Sequence, residues 1–366
     1  MTSTAISLVT VLRAAGRAGV AVCLWGDPGI GKSALIHAAA AADDVPCETV
    51  IGSLREPSDF AGLPVVTDDG VRMEPPSWAK RLHAAGAGYL FLDELSTSPP
   101  AVQAAMLGVA LERRVGDLLL PRAVQVVAAA NPPERAADGW DLTPPLANRF
   151  LHISYTPAVD GWIDGMTAGF SLPAGGRVAL PNRERTAIAR ASVAAFIRCR
   201  PALLDACPTN ANASGRAWPS RRTWTMAADV LALLAEDDTE AAYIATCGLV
   251  GEGAAVEYLT WWREADLPDP VRVVADPTCV AWRSLDPSRT WAILAGVVGY
   301  STGRGTVEAW REGWGPLAVA AEMGKGDVAA ACARTLLMAR PPNARPPQEV
   351  RAFIGVLTDA GLMSAA

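Results

Sequence analysis

The sequence predicts an α/β fold, a mostly parallel sheet covered by helices, followed by an all-helical region. Three observations carry that expectation. Over residues 1–157 apolar runs of strand length alternate with helical patterns. One of those runs opens directly into a glycine-rich turn, and another ends on two adjacent acids. Beyond residue 183 helical periodicity takes over.

The elements follow in order. Residues 20–25 (VAVCLW) form a short apolar run that stops at Gly26. Residues 33–42 are helix-forming, and 48–51 read as a second strand. Residues 63–66 and 71–73, joined by Thr67-Asp68-Asp69-Gly70, predict a hairpin on a D-G turn. Residues 89–92 (YLFL) are the next strand, and 99–112 a helix with Pro at its start. Residues 114–121 suggest a second small hairpin, 124–130 (VQVVAAA) a fourth sheet strand and 151–155 a fifth. A Gly- and Pro-rich stretch, 158–183, reads as a linker. The clearest later helices are 185–206, 222–235, 239–250 and 254–264, and residues 266–366 continue the helical pattern. The expected division is therefore a core over 1–157 with its hairpin near 60–75, a linker over 158–183, a helical lid over 184–265, and a C-terminal extension over 266–366.

Composition narrows the function classes. The 366 residues, 51% of them hydrophobic, suffice for two or three domains with a sizeable core. A net charge of −6 argues against a domain built to neutralise nucleic-acid backbones. No apolar run reaches the roughly 18 residues of a membrane span. The first 19 residues lack the layout of a secretion signal, since their two Arg follow the apolar stretch. The seven Cys are scattered without a C-x-x-C pair, and there are three His, so a zinc site is not expected. The cysteines read as small buried hydrophobes of a reducing compartment, and a cytoplasmic location is expected. Only three of the 32 cationic residues are lysines: Lys32, Lys80 and Lys325.

Gly26-Asp27-Pro28-Gly29-Ile30-Gly31-Lys32-Ser33 fits G-x-x-x-x-G-K-[ST]. Such a loop turns tightly on its glycines, aims backbone N–H groups at a phosphate, and hands over to a helix whose N-terminus is partially positive. Lys32 would reach the outer phosphates and Ser33 would bind Mg²⁺. A bland glycine-rich turn is the alternative, but a strand before and a helix after favour the phosphate loop. Asp93 and Glu94 end the YLFL strand, at the sheet edge where ligands bind in such folds. Asp93 would hold Mg²⁺ and Glu94 would polarise an attacking water. Taken alone, a solvated acid pair explains them equally well; behind the first motif they reinforce it. Asn131 directly follows the fourth strand, where a carboxamide can orient water or touch a γ-phosphate, though a turn Asn before Pro is common. Arg149 in LANRF could reach a phosphate from a neighbouring subunit. Arg221 and Arg222 lie in the first turn of a helix opened by Pro219-Ser220, an unfavourable place for a cation beside the helix dipole, so a phosphate-binding role is considered.

Taken as a set, GDPGIGKS, YLFLDE, AAANP and LANRF, in that order, resemble an AAA+ ATPase. EPSDFAG (56–62) with the following hairpin is similar to the helix-2 insert of the MoxR-type members. The resemblance covers about residues 20–157. It implies that Gly26 to Ser33 form the Walker A loop, binding ATP through Asp27, Pro28, Gly29, Ile30, Gly31 and Lys32. It implies that Asp93 and Glu94 are the Walker B pair and Asn131 sensor 1. Arg149 would be the arginine finger acting on the next subunit, and Arg222 the second sensor, with Arg221 left open by the Pro-Ser-Arg-Arg order. Arg113 would contribute at the subunit seam. The implied activity is hydrolysis of Mg²⁺–ATP in a homo-oligomeric ring, often a hexamer, that remodels a protein client. The common partner of such ATPases carries a von Willebrand factor A-type domain. Three other readings compete: the ATPase subunit of a metal-chelatase-like complex, a nucleotide-gated assembly module with little turnover, and a DNA-acting motor, which the acidic balance disfavours.

Overall fold

The computed structural model describes residues 3–132, 140–170, 172, 175–359 and 362. Two compact units emerge, Met1–Leu180 with Asp205–Ala255, and Pro181–Leu204 with Val256–Ala366.

In the first unit the elements run α1 (Ser3–Ala18), β1 (Ala21–Trp25), α2 (Lys32–Ala42), β2 (Cys47–Ile51), α3 (Ser58–Ala61), β3 (Leu63–Thr67), β4 (Gly70–Glu74), α4 (Ser77–Ala85) and β5 (Ala87–Asp93). They continue with α5 (Pro100–Glu112), β6 (Arg114–Val115), β7 (Leu118–Leu119), β8 (Ala123–Ala130), α6 (Pro144–Ala147), β9 (Phe150–Ser154) and α7 (Val159–Ala168). Five strands form one sheet in the order β2-β5-β8-β1-β9, and every neighbouring pair is parallel. Parallel strands buried on both faces read as apolar runs, unbroken in β1 and interrupted in β8 only by Gln125. On one face Cys23, Leu90, Leu92, Val126 and Phe150 pack with Trp78, Leu82, Phe60, Met106 and Val109 from the helices. On the other, α1 and α2 cover the central strands, and Gln125 of β8 donates to the Leu12 carbonyl of α1 at 2.6 Å. Both expected hairpins are present, β3–β4 and β6–β7.

The first unit resumes with α9 (Ala211–Ser214), α10 (Arg221–Leu231) and α11 (Thr239–Val250), after α8 (Arg183–Cys199) has entered the second unit. Both α10 and α11 pack against α1, and α11 also packs against β9. The second unit is helical: α8, most of α12 (Glu252–Ala265), α13 (Pro270–Ala275), α14 (Pro287–Gly303), α15 (Val307–Glu312), α16 (Trp314–Ala320), α17 (Gly326–Met338) and α18 (Ile354–Asp359). Its core gathers Trp310, Trp314, Phe353, Leu336 and Val297.

Two expectations about organisation change. The 158–183 stretch, whose residues 171, 173 and 174 lie outside those described, is not only a linker, because it carries α7. The 184–265 lid is not one body either. Its first helix, α8, packs along α14, where glycines permit backbone contact: a β-carbon on Gly299 would meet the Ala187 carbonyl at 2.8 Å, and one on Gly303 the Glu184 Cα at 2.6 Å. Helical periodicity identifies an apolar stripe but not which distant helix receives it, so the grouping of α8 with residues 256–366 was not readable.

Candidate nucleotide site

The parallel sheet places three chemical groups on one edge. β1, β8 and β5 are consecutive neighbours, and all point their carboxyl ends the same way. Trp25 stands opposite Ala130, so Gly26 and Asn131 both begin one residue beyond the paired strands. Asp93 closes β5 one strand further out. Ligands of such sheets bind in the crevice outside these ends.

The loop between β1 and α2 turns on Gly31, whose φ of 93° is left-handed and leads straight into Lys32 at the first helical position. The helix then drives Lys32 back under the loop. Its ammonium has three donors, and three acceptors receive them: Gly26 O at 2.7 Å, Asp27 O at 3.0 Å and Asn131 Oδ1 at 2.8 Å. Burial lowers the Lys32 pKa, against the opposing pull of Asp93 and Asp27. Next along the helix, Ser33 Oγ donates to Asp93 Oδ2 at 3.0 Å. The other Asp93 oxygen accepts from the Glu94 amide at 2.9 Å. Glu94 itself is left-handed, at φ 59°, an unusual conformation for a side-chain-bearing residue and one that persists where a site over-determines it. Its carbonyl accepts from Thr97 Oγ1 and Ser98 Oγ, and its carboxylate accepts a hydrogen bond from Ser53, just beyond β2. Asn131 is fixed from below by its amide, which donates to Ser96 Oγ at 3.0 Å.

A hydroxyl and a carboxylate at hydrogen-bond distance, beside a glycine-rich loop, are the hard-oxygen donors that suit Mg²⁺. That ion usually takes one or two carboxylates and completes its shell with water and phosphate. Ser33 and Asp93 therefore fit the ion.

A second cluster lies at the opposite end of β9. Arg149 follows α6, and Arg222 opens α10 behind a Ser220 N-cap that exchanges hydrogen bonds with Thr223. Ser220 Oγ also donates to Asn148 Oδ1 at 2.8 Å, tying α10 to the residue before Arg149. Arg149 Nη1 donates to the Pro145 carbonyl, while its buried Nε has no acceptor. Burial lowers the Arg149 pKa, and the neighbouring Arg222 charge lowers it further. Among the described residues neither guanidinium has a carboxylate partner. Arg221 differs, pairing with Asp205 at 2.9 Å on the surface.

Arg113 is a correction. It turns back into its own loop and donates to the carbonyls of Pro121, Arg122 and Val124, so it braces the second hairpin rather than reaching outward.

Sequence reasoning missed Ser53 and the residues behind the loop. Trp25 Nε1 donates to His152 Nδ1 at 2.8 Å, which leaves His152 Nε2 as the donor to Ala147 O, also at 2.8 Å. Burial depresses His152 to a pKa of about 4, keeping it neutral. The Arg216 guanidinium lies over the Trp25 ring, 3.4 Å from its centroid. No motif marks these residues; only the pairing of β1 with β9 and the return of the chain near α6 bring them together.

Residues 21–150 match the family described as AAA domain (dynein-related subfamily). No curated protein matches the chain. Among solved structures, one match is a chain from Cytophaga hutchinsonii described as a "putative ATPase". It is 18% identical, with a TM-score of 0.45, over 70% of this chain and 88% of that one. The five-stranded parallel sheet with its flanking helices, and the helical region that follows it, fit a P-loop AAA+ core with a helical extension. No described helix is long and apolar enough to cross a membrane.

Proposed function

We propose that this chain hydrolyses Mg²⁺–ATP at sites shared between copies of itself, as MoxR-type AAA+ ATPases do, and uses the cycle to remodel a protein client. The observation that carries the reading is the convergence of Lys32, Ser33, Asp93, Glu94 and Asn131 on one sheet edge. Lys32 would transfer its donors from Gly26 O and Asp27 O to the β- and γ-phosphate oxygens. Ser33 and Asp93 would hold Mg²⁺, which neutralises charge developing on the phosphates. Glu94, held by Ser53, would orient and polarise the attacking water, with the Asn131 carboxamide beside the γ-phosphate. Arg149 and Arg222, gathered on another face of the same unit, suit delivery of positive charge to a neighbour's site better than to their own. Arg222 rather than Arg221 is the second sensor of this proposal, a choice supported by the pairing of Arg221 with Asp205.

The hairpin β3–β4 supports a client-contacting role, because Val66 and Val71 stand exposed near its tip. A partner with a von Willebrand factor A-type domain and a hexameric ring complete the proposal. The test is steady-state ATPase activity of Lys32→Ala and Glu94→Gln. Loss of turnover in both, with ATP still bound by Glu94→Gln, supports the reading; parental turnover in either variant rejects it.

A further inference from the structure

We propose that the exposed apolar face of α7 is the surface on which a second copy of this chain docks across the nucleotide site. This inference rests on the shared-site reading above.

Three observations lead to it. First, α7 presents a complete stripe to solvent: Val159, Trp162, Ile163 and Met166, followed by Phe170, are 73%, 56%, 48%, 62% and 68% exposed. At 3.6 residues per turn the four helical positions fall within an arc of about 100°, the spacing of a helix that inserts into a groove. Together they expose on the order of 500 Å² of apolar surface, near the upper end for a monomer and a large share of the roughly 800 Å² each partner gives to a stable interface.

Second, the stripe starts a short length of chain from the glycine-rich loop. Tyr155 N donates to Trp25 O at 2.7 Å, immediately before Gly26. Val159 is four residues further on, which a chain can span in at most about 14 Å. A copy that brings a guanidinium to Lys32 and Glu94 therefore comes within reach of the start of α7.

Third, the charges are complementary. The ionisable side chains of α7 are Asp160 and Asp164, both exposed along one flank of the stripe, and the helix has no basic residue. The face carrying Arg149 also carries Arg222, whose charge acts on it, whereas Arg221 is paired with Asp205. Seating that face on the loop sets carboxylates of one copy against guanidiniums of the next, which steers and orients a head-to-tail contact.

Two measurements test it. In the first, p-benzoylphenylalanine replaces Met166 in the full chain, and isotopically heavy and light protein are mixed with ATP and irradiated. Heavy–light cross-links to residues 140–150 or 205–225 are expected. Cross-links confined to one molecule, or directed elsewhere such as 63–74, overturn the proposal. In the second, light scattering with ATP compares the parent with Trp162→Ser/Met166→Ser. The variant is expected to fall to the protomer mass while each protomer binds a fluorescent ATP analogue within twofold of the parent. Retained assembly in the variant overturns the α7 contact but leaves the shared site standing. A parent that stays monomeric with ATP overturns both.

Discussion

The two charged clusters of the first unit are built on opposite plans. At the carboxyl ends of the sheet, Lys32 has each of its three donors received by the protein, and Ser33 is bonded to Asp93. At the other cluster, among the described residues, two guanidiniums stand together without a carboxylate, and Arg149 Nε is buried without an acceptor. Placing like charges side by side is unfavourable unless an anion joins them. Under the proposed function the first cluster receives charge and the second donates it to a neighbouring copy.

The largest effects should separate the clusters. Lys32→Ala is expected to abolish turnover and weaken ATP binding, read by kinetics and by titration with a fluorescent analogue. Lys32→Arg should fare little better, because a planar fork cannot direct donors to Gly26 O, Asp27 O and Asn131 Oδ1 as a compact ammonium does. Arg149→Ala should instead lower kcat by ~10³ with ATP affinity unchanged, the loss typical of a transition-state arginine. Equal loss of affinity in Arg149→Ala would break the comparison.

Within the arginine cluster the neighbours should differ. Arg222→Ala is expected to reduce kcat by roughly tenfold or more, a loss of at least about 1.4 kcal/mol of transition-state stabilisation. Arg221→Ala should change it less than about threefold, because an exposed pair with Asp205 contributes little. Paired rate measurements decide the assignment.

A third expectation concerns the strand between the clusters. Burial holds the His152 pKa near 4, below its ordinary 6.5. The unfolded chain then binds the extra proton first as pH falls, so this stability is complete above pH 6.5 and is lost toward pH 4. Denaturant unfolding should show about 2 kcal/mol lost between pH 7 and pH 5 from this group. A variant His152→Gln should flatten that slope, and an unchanged slope would contradict the role. The smallest effect expected is Ser53→Ala, a several-fold change in kcat from loosening Glu94, with ATP affinity unmoved.

What could be read in advance follows the same division. The loop from Gly26 to Ser33 and the Asp93-Glu94 pair are local in sequence, each announced by a strand and a turn, and the structure places them together. Their meeting with Asn131 follows from strand alternation, because neighbouring parallel strands end on one edge. The hairpin on Asp69-Gly70 was legible because the turn residues name it. By contrast, Ser53, His152 and Arg216 carry no pattern and acquire their neighbours only through sheet order and chain return. The helix α7 was hidden in a stretch whose Gly and Pro content suggested a linker, and α8 left the expected lid because Gly299 and Gly303 admit it against α14. Lys325 likewise has no motif around it, and its hydrogen bond to the Leu285 carbonyl at 2.6 Å comes only with the fold.

The shared site is tested most directly by mixing two dead variants. Lys32→Ala retains Arg149 but cannot cradle phosphate, whereas Arg149→Ala retains the cradle but donates no charge. The account predicts that an equimolar mixture hydrolyses ATP well above the sum of the separate rates, because some interfaces join an intact loop to an intact arginine. A mixture no faster than that sum, in protein shown to exchange protomers, would contradict it.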